Sequence, residues 1–158
     1  MKLIFKQRIL SWFDSYDIYD ENGDVYFTVK GQLAWGHMFK IYNKNNEEIG
    51  KLKQKLFTFL PKYEIYINNE LQGEIVKEFT FLKPKFHITF GGYTVTGDFF
   101  NWDYDVFRND TRIATINKEI FRFRDTYTIN VNESDALLVL MIVLSIDSIK
   151  DRQSSNNQ

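Results

Sequence analysis

Large apolar side chains alternate with polar ones over short stretches along most of the chain. Tyr63, Ile65 and Ile67 fall on one face and Glu64, Tyr66 and Asn68 on the other; Tyr104 and Val106 alternate with Asp105 and Phe107 in the same way. A period of two, rich in β-branched and aromatic residues, marks half-buried strands. The alternation also repeats in register. An aromatic followed two positions later by Ile or Val occurs at Tyr16/Ile18, Phe39/Ile41, Tyr63/Ile65, Phe86/Ile88, Tyr104/Val106 and Tyr127/Ile129, at spacings of 23, 24, 23, 18 and 23. Two further pairs, Phe27/Val29 and Tyr93/Val95, lie outside that register. Four residues before each leading aromatic stands another large apolar residue: Trp12, Trp35, Phe59, Leu82, Phe100 and Phe123.

Turn residues close each unit: Asn22-Gly23, Asn43 to Asn46, Asn68-Asn69, Gly91-Gly92 and Asn109-Asp110. Asn and Gly tolerate the positive φ of tight hairpins. A second strand then runs out, as in Gly73 to Val76 and Arg112 to Ile116. Each unit therefore reads as a hairpin of roughly 23 residues. Five hairpins, a strand near Leu3–Arg8 and a strand near Thr126–Val131 give about twelve strands. Leucine-rich repeats lack a consensus here, and a propeller blade needs about 40 residues. Successive hairpins predict a closed antiparallel barrel, which removes exposed edges.

The pattern breaks near the C-terminal end. Asn132 to Asp135 supplies capping and acidic first-turn residues, and Ala136 to Leu144 is an unbroken apolar run. A helix apolar on all sides must be surrounded. A barrel of about twelve strands is too wide for its own side chains to fill, since eight strands is about the size they can. The helix is expected to plug the barrel. The apolar run from Ala136 to Leu144 is nine residues, about half the roughly 20 that a membrane span needs.

Composition narrows the chemistry. Of 158 residues, 20 are Lys or Arg and 21 are Asp or Glu, leaving a formal net charge of −1. This removes the simple basic-excess argument for a nucleic-acid partner. Cys is absent, which excludes disulfides, thiolate metal sites and a Cys nucleophile. With two His residues, a three-His zinc site is impossible. Lys6 and Arg8 interrupt any apolar leader. The expected compartment is the cytoplasm, with a peripheral place at the membrane.

Lys62-Tyr63-Glu64-Ile65-Tyr66-Ile67-Asn68, Lys77-Glu78-Phe79-Thr80-Phe81, Asp125-Thr126-Tyr127-Thr128-Ile129 and the helix ending in Ser145-Ile146-Asp147 resemble the LURP-one-related family. The resemblance covers about residues 1–150, a single domain, with 151–158 as a disordered polar tail. It implies the tubby C-terminal-like fold: about twelve antiparallel strands around a central hydrophobic helix, carried over onto about Asp135–Ile149. Phospholipid scramblases resemble this architecture, and tubby domains bind phosphatidylinositol phosphates. The resemblance carries over no catalytic residue set.

Candidate sites are few. Asp20-Glu21-Asn22-Gly23-Asp24 gathers acids, but the spacing fails a calcium loop and reads as a hairpin turn. His37 and His87 lack an accompanying nucleophile motif and read as ordinary surface or hydrogen-bonded histidines. Lys51, Lys53 and Lys55 share one strand face, and Lys62, Lys83 and Lys85 lie at corresponding places in the next units. Together they are the candidate contacts for an anionic membrane surface or phosphoinositide, weighed against an ordinary solvated barrel exterior. The aromatics Trp12, Trp35, Phe57, Phe59, Phe79, Phe81, Phe99, Phe100, Phe121 and Phe123 recur at strand junctions, where core packing at the barrel rims is expected, weighed against a membrane-inserting belt. The expected function is a non-enzymatic binding or scaffold module without cofactor or metal, monomeric by default. A scramblase-like lipid-moving protein is the alternative, and an enzyme would need His37 or His87 joined to a carboxylate.

Overall fold

A computed structural model describes residues 1–5, 15–34, 36–81, 84–121 and 124–156. Twelve strands form one antiparallel sheet: β1 (Lys2–Phe5), β2 (Ser15–Tyr19), β3 (Val25–Ala34), β4 (Gly36–Asn43), β5 (Glu48–Gln54), β6 (Lys62–Ile67), β7 (Glu70–Glu78), β8 (Lys85–Ile88), β9 (Tyr93–Asp98), β10 (Asp103–Arg108), β11 (Thr111–Phe121) and β12 (Arg124–Val131). The order β8-β7-β6-β5-β4-β3-β2-β1-β12-β11-β10-β9 pairs nearly every strand with its sequence neighbours, and β1 with β12. The sheet thus curls into a nearly closed barrel whose two edge strands, β8 and β9, are not paired with each other. Aromatic rings bridge that seam: Phe86 meets Phe99 edge-on at 5.0 Å, and Phe99 lies 5.1 Å from Tyr104.

The hairpin turns fall where Asn and Gly pointed. Asn68-Asn69 and Asn109-Asp110 each hold two successive residues at positive φ, the requirement of a two-residue hairpin loop that follows strand twist, and Gly91-Gly92 does the same in the turn between β8 and β9. The repeated aromatic-x-Ile/Val pairs prove to be the inward positions of the even-numbered strands. Phe39, Ile41, Tyr63, Ile65, Phe86, Ile88, Tyr104, Val106, Tyr127 and Ile129 are buried, as is Ile18, and Tyr16 packs against the same core. The expected N-terminal strand is found as β1; its predicted extension over 6–8 lies outside the described residues.

The helix α1 (Ala136–Asn156) fills the barrel, entered through a 3-10 turn at Glu133–Asp135. Val139, Leu140, Met141, Ile142 and Val143 are fully buried, the outcome demanded by a helix apolar on every side. It begins at Ala136, one residue after the expected start at Asp135, and continues past the expected end at Ile149, through 151–156. Those positions carry neither Gly nor Pro to stop it. The sheet backbone comes very close at Gly50 of β5. A Cβ there would stand 3.2 Å from Leu137 Cδ1 and 3.2 Å from Met141 Sδ.

Several polar groups inside the barrel are tied down. The Ser145 hydroxyl donates to the Met141 carbonyl at 2.8 Å, and the Tyr63 and Ser148 hydroxyls bond to each other. Lys150 donates to the Phe99 carbonyl and lies 5.3 Å from the Trp102 ring. Burial, and secondarily the Asp147 carboxylate, push the Tyr16 and Tyr104 hydroxyl pKa values well up. At the other end of the helix, Arg108 holds buried Asp135 at 2.8 Å. These contacts fix the direction of α1: it enters beside the β10–β11 turn and ends beside the starts of β6 and β10.

Candidate functional site

Alternating antiparallel strands send their connections to two opposite ends of the barrel. The connections after β2, β4, β6, β8 and β10 form one end, where α1 also enters. They are short and polar. Asp20 accepts the backbone N–H groups of Asn22 and Asp24 at 2.9 and 3.0 Å, so the acidic loop is a self-bonded hairpin turn. Asn43 does the same for Asn45 and Glu47 at 2.9 and 3.0 Å. By sequence, this end carries Asp20, Glu21, Asp24, Glu47, Asp110, Glu133 and Asp135 against Lys44.

The connections after β5, β7 and β9 lie at the other end, where Lys55 is the one charged side chain among their described residues. Lys6, Arg8, Asp14, Lys83 and Arg122 lie outside the described residues. These three connections also carry junction aromatics. Here the expectation of rim packing fails for most of the described rings. Phe99 is buried, but Phe57 is 100% exposed, Phe59 95%, Phe81 92%, Phe79 68% and Phe100 60%. The barrel interior is already occupied by α1, and these residues lie past the strand ends, in the connections 55–61, 79–84 and 99–102. Trp12, Trp35 and Phe123 lie outside the described residues, as does the side chain of Phe121.

Two of these connections share a sequence. Phe57-Thr58-Phe59-Leu60-Pro61-Lys62 and Phe79-Thr80-Phe81-Leu82-Lys83-Pro84-Lys85 contain both prolines of the chain. In the first, the Thr58 hydroxyl donates to the Leu60 carbonyl at 2.8 Å, and the Lys55 N–H donates to the Lys62 carbonyl at 3.1 Å. Phe57 sits at φ 58°, a left-handed conformation that a bulky residue adopts only under constraint. In the second, Phe79 and Phe81 stack edge-to-face at 5.3 Å.

The candidate lysines occupy the barrel exterior from β5 to β8. Lys51 and Lys53 point outward from β5, and the Lys51 ammonium lies 4.8 Å from the Tyr66 ring centre. Lys55 is bridged to Glu64 at 2.9 Å, and Lys62 to Glu74 at 3.0 Å. Burial raises the Glu64 pKa, but the bonds from Lys55 and from the Tyr66 hydroxyl outweigh it and hold the carboxyl below its ordinary range. Lys53 and Lys85 are exposed and make no ion pair among the described residues. Lys83 lies outside them. Strand pairing adds cations that the spacing alone does not group: Lys30 faces Lys40, and Lys40 faces Lys51. Lys30 stands 4.4 Å over the Tyr42 ring, while Lys40 is bridged to Glu48 at 2.9 Å.

The histidines stand apart in role. The His37 backbone N–H donates to the Gln54 side-chain oxygen at 3.0 Å, and His87 is exposed on β8 opposite Val76. Among the described residues, no group of three His, Asp or Glu side chains is arranged to hold a metal ion. Among the same residues, no helix is long and apolar enough to cross a membrane.

Comparison with known proteins follows the same lines. The family model for LURP-one-related proteins matches residues 1–147. The chain is 26% identical over 151 residues to the uncharacterized protein YxjI of Bacillus subtilis (strain 168), covering 94% of this chain and 93% of that protein. Its fold is similar to the X-ray structure of a protein from Arabidopsis thaliana, with a TM-score of 0.66 at 12% identity, over 94% of this chain and 90% of that one.

Proposed function

Because the chain belongs to the LURP-one-related family, a barrel built around its own helix, we propose that it is a non-catalytic binding module whose ligand is an anionic, phosphate-bearing membrane surface, held by lysines on the β5–β8 side. One observation carries the reading: the stretches 51–63 and 79–87 contain lysines and no acid, and the acids beside them on the same wall, Glu64 and Glu74, are each taken up by a lysine, while Asp20, Glu21, Asp24, Glu47 and Asp110 collect at the opposite end of the barrel. Such separation gives a nearly neutral protein one face that an anionic surface attracts, at about 1 kcal/mol per lysine brought near it. Many of the lysines are already paired, so the free charge rests chiefly on Lys53 and Lys85. No catalytic role is assigned to His37 or His87.

Vesicle co-sedimentation tests this. Binding is expected to phosphatidylcholine vesicles containing anionic lipid, to weaken with rising salt, and to fall in Lys53→Glu/Lys85→Glu. Failure to bind, or binding indifferent to salt and to both substitutions, refutes it. Phosphoinositide-containing vesicles compared with phosphatidylglycerol vesicles at matched charge then separate headgroup recognition from charge alone.

A further inference from the structure

We infer that the two Phe-Thr-Phe-Leu connections insert their phenylalanine rings into the lipid bilayer, so that the barrel stands on the membrane with its acidic end pointing away. The inference deepens the proposed membrane reading and rests on it, but it makes a separate claim: apolar contact with the bilayer, not only charge, holds the protein there.

Three observations converge on a bilayer as the occupant. The first is exposure without internal reason. Phe57, Phe59 and Phe81 are almost wholly in water, although each would gain from burial, and the barrel has no room left for them. They project from two separate connections at one end of a barrel, as tips and not as the walls of a groove. The second is polar satisfaction. A segment entering a medium of low dielectric must settle its own hydrogen bonds. In the first connection Thr58 bonds within its loop, the Lys55 N–H donates to the Lys62 carbonyl, and Pro61 has no N–H to satisfy, so part of its polar demand is met internally. The third is charge. The apolar tips are flanked by Lys53, Lys55 and Lys85; Glu64 is paired with Lys55 and Glu78 faces Lys85, so Lys53 and Lys85, which make no ion pair among the described residues, supply the cations for an interface of anionic headgroups above acyl chains.

The native chain has no cysteine, so a single probe can be placed without background. Phe59→Cys carries a nitrobenzoxadiazole fluorophore at the tip, and Asn45→Cys carries it at the opposite end. On vesicles of phosphatidylcholine with phosphatidylglycerol, the Phe59 probe is expected to shift to the blue and to be quenched by lipids spin-labelled on the acyl chain, while the Asn45 probe does neither. Phe57→Ser/Phe81→Ser, with every lysine intact, is expected to lower the vesicle partition coefficient at least about tenfold. Thermal unfolding checks that this exposed double variant keeps its stability. Glycerol 3-phosphate, a soluble headgroup, is expected not to compete at millimolar concentration.

Unchanged vesicle binding in Phe57→Ser/Phe81→Ser, with the Phe59 probe still in water, overturns the insertion and leaves the electrostatic reading standing. Absence of vesicle binding in the native chain overturns both. A dimer in solution that the serine variant dissociates, without vesicle binding by either, assigns the rings to a second copy of the chain and overturns the inference as well.

Discussion

Replacing Gly50 by Val tests whether α1 lies against β5 as closely as the geometry requires. Taken alone, glycine in a strand is unfavourable by roughly 0.5–1 kcal/mol, so a β-branched residue there would ordinarily stabilise. The surroundings reverse that sign. The first added carbon already stands 3.2 Å from Leu137 Cδ1 and Met141 Sδ and 3.5 Å from Ile41 Cδ1, and valine adds two methyls beyond it. Forcing extra methyls into a packed interior costs about 1–3 kcal/mol. Gly50→Val is therefore expected to destabilise by about 1–2 kcal/mol net, a shift of roughly 0.5–1 M in urea midpoint at a slope near 2 kcal/mol/M. The decisive measurement is the cycle with Met141→Ala. That change alone costs about 2–5 kcal/mol, because Met141 is fully buried, and it opens a void where the valine methyls would go. In its background the Gly50→Val penalty should vanish, giving a coupling of at least about 1 kcal/mol. Costs that add to within about 0.5 kcal/mol would show that Gly50 does not face Met141 and would refute the helix placement.

Two further outcomes follow from the barrel wall. Glu64→Gln removes the acceptor of Lys55 and Tyr66; since the carboxyl pKa is lowered on folding, its contribution is complete above about pH 4.5 and fades as pH falls through the lower folded value. Melting temperatures from pH 7 to 2.5 should therefore show wild type and variant converging in acid, and a gap independent of pH would contradict the pairing. Gly97→Ala should cost at least about 1–3 kcal/mol, because φ is +138° and the new Cβ would meet Asp103 O and Tyr104 Cα at 2.5 Å, backbone atoms that cannot yield; an equally stable variant would contradict the β9–β10 register.

The inward face of this barrel was legible because one physical constraint repeats there. Every even strand must present a large side chain and a β-branched one to the same helix, so Tyr63/Ile65 and Tyr104/Val106 look alike in sequence. The single short spacing, 18 residues from Phe86 to Tyr104, spans the strands β8 and β9 at the unladdered seam. The site was less legible. Phe57 and Phe59 have the hydrophobicity of core residues, and no Gly or Pro marks the end of β5 before them. Only knowing that the ladder stops at Gln54 moves them out of the sheet. Likewise Lys55 and Glu64 are nine positions apart across a long connection, and their ion pair becomes visible only with the register Lys53 to Glu64 in place. Charge counted over the whole chain also concealed its division between two ends.

The helix that fills the barrel is encoded after all twelve strands, and this ordering shapes how the chain is made. A ribosome delivers the wall first and the filling afterwards. At about 5–20 residues per second, the 21 residues of α1 take roughly one to four seconds to synthesise, during which β1 to β12 have nothing to close around. A nascent chain stalled at 131 would hold every strand without the helix they close around, so completion of the barrel core is expected to await α1. Quality control that binds exposed aromatics would meet this protein at one defined stage of translation.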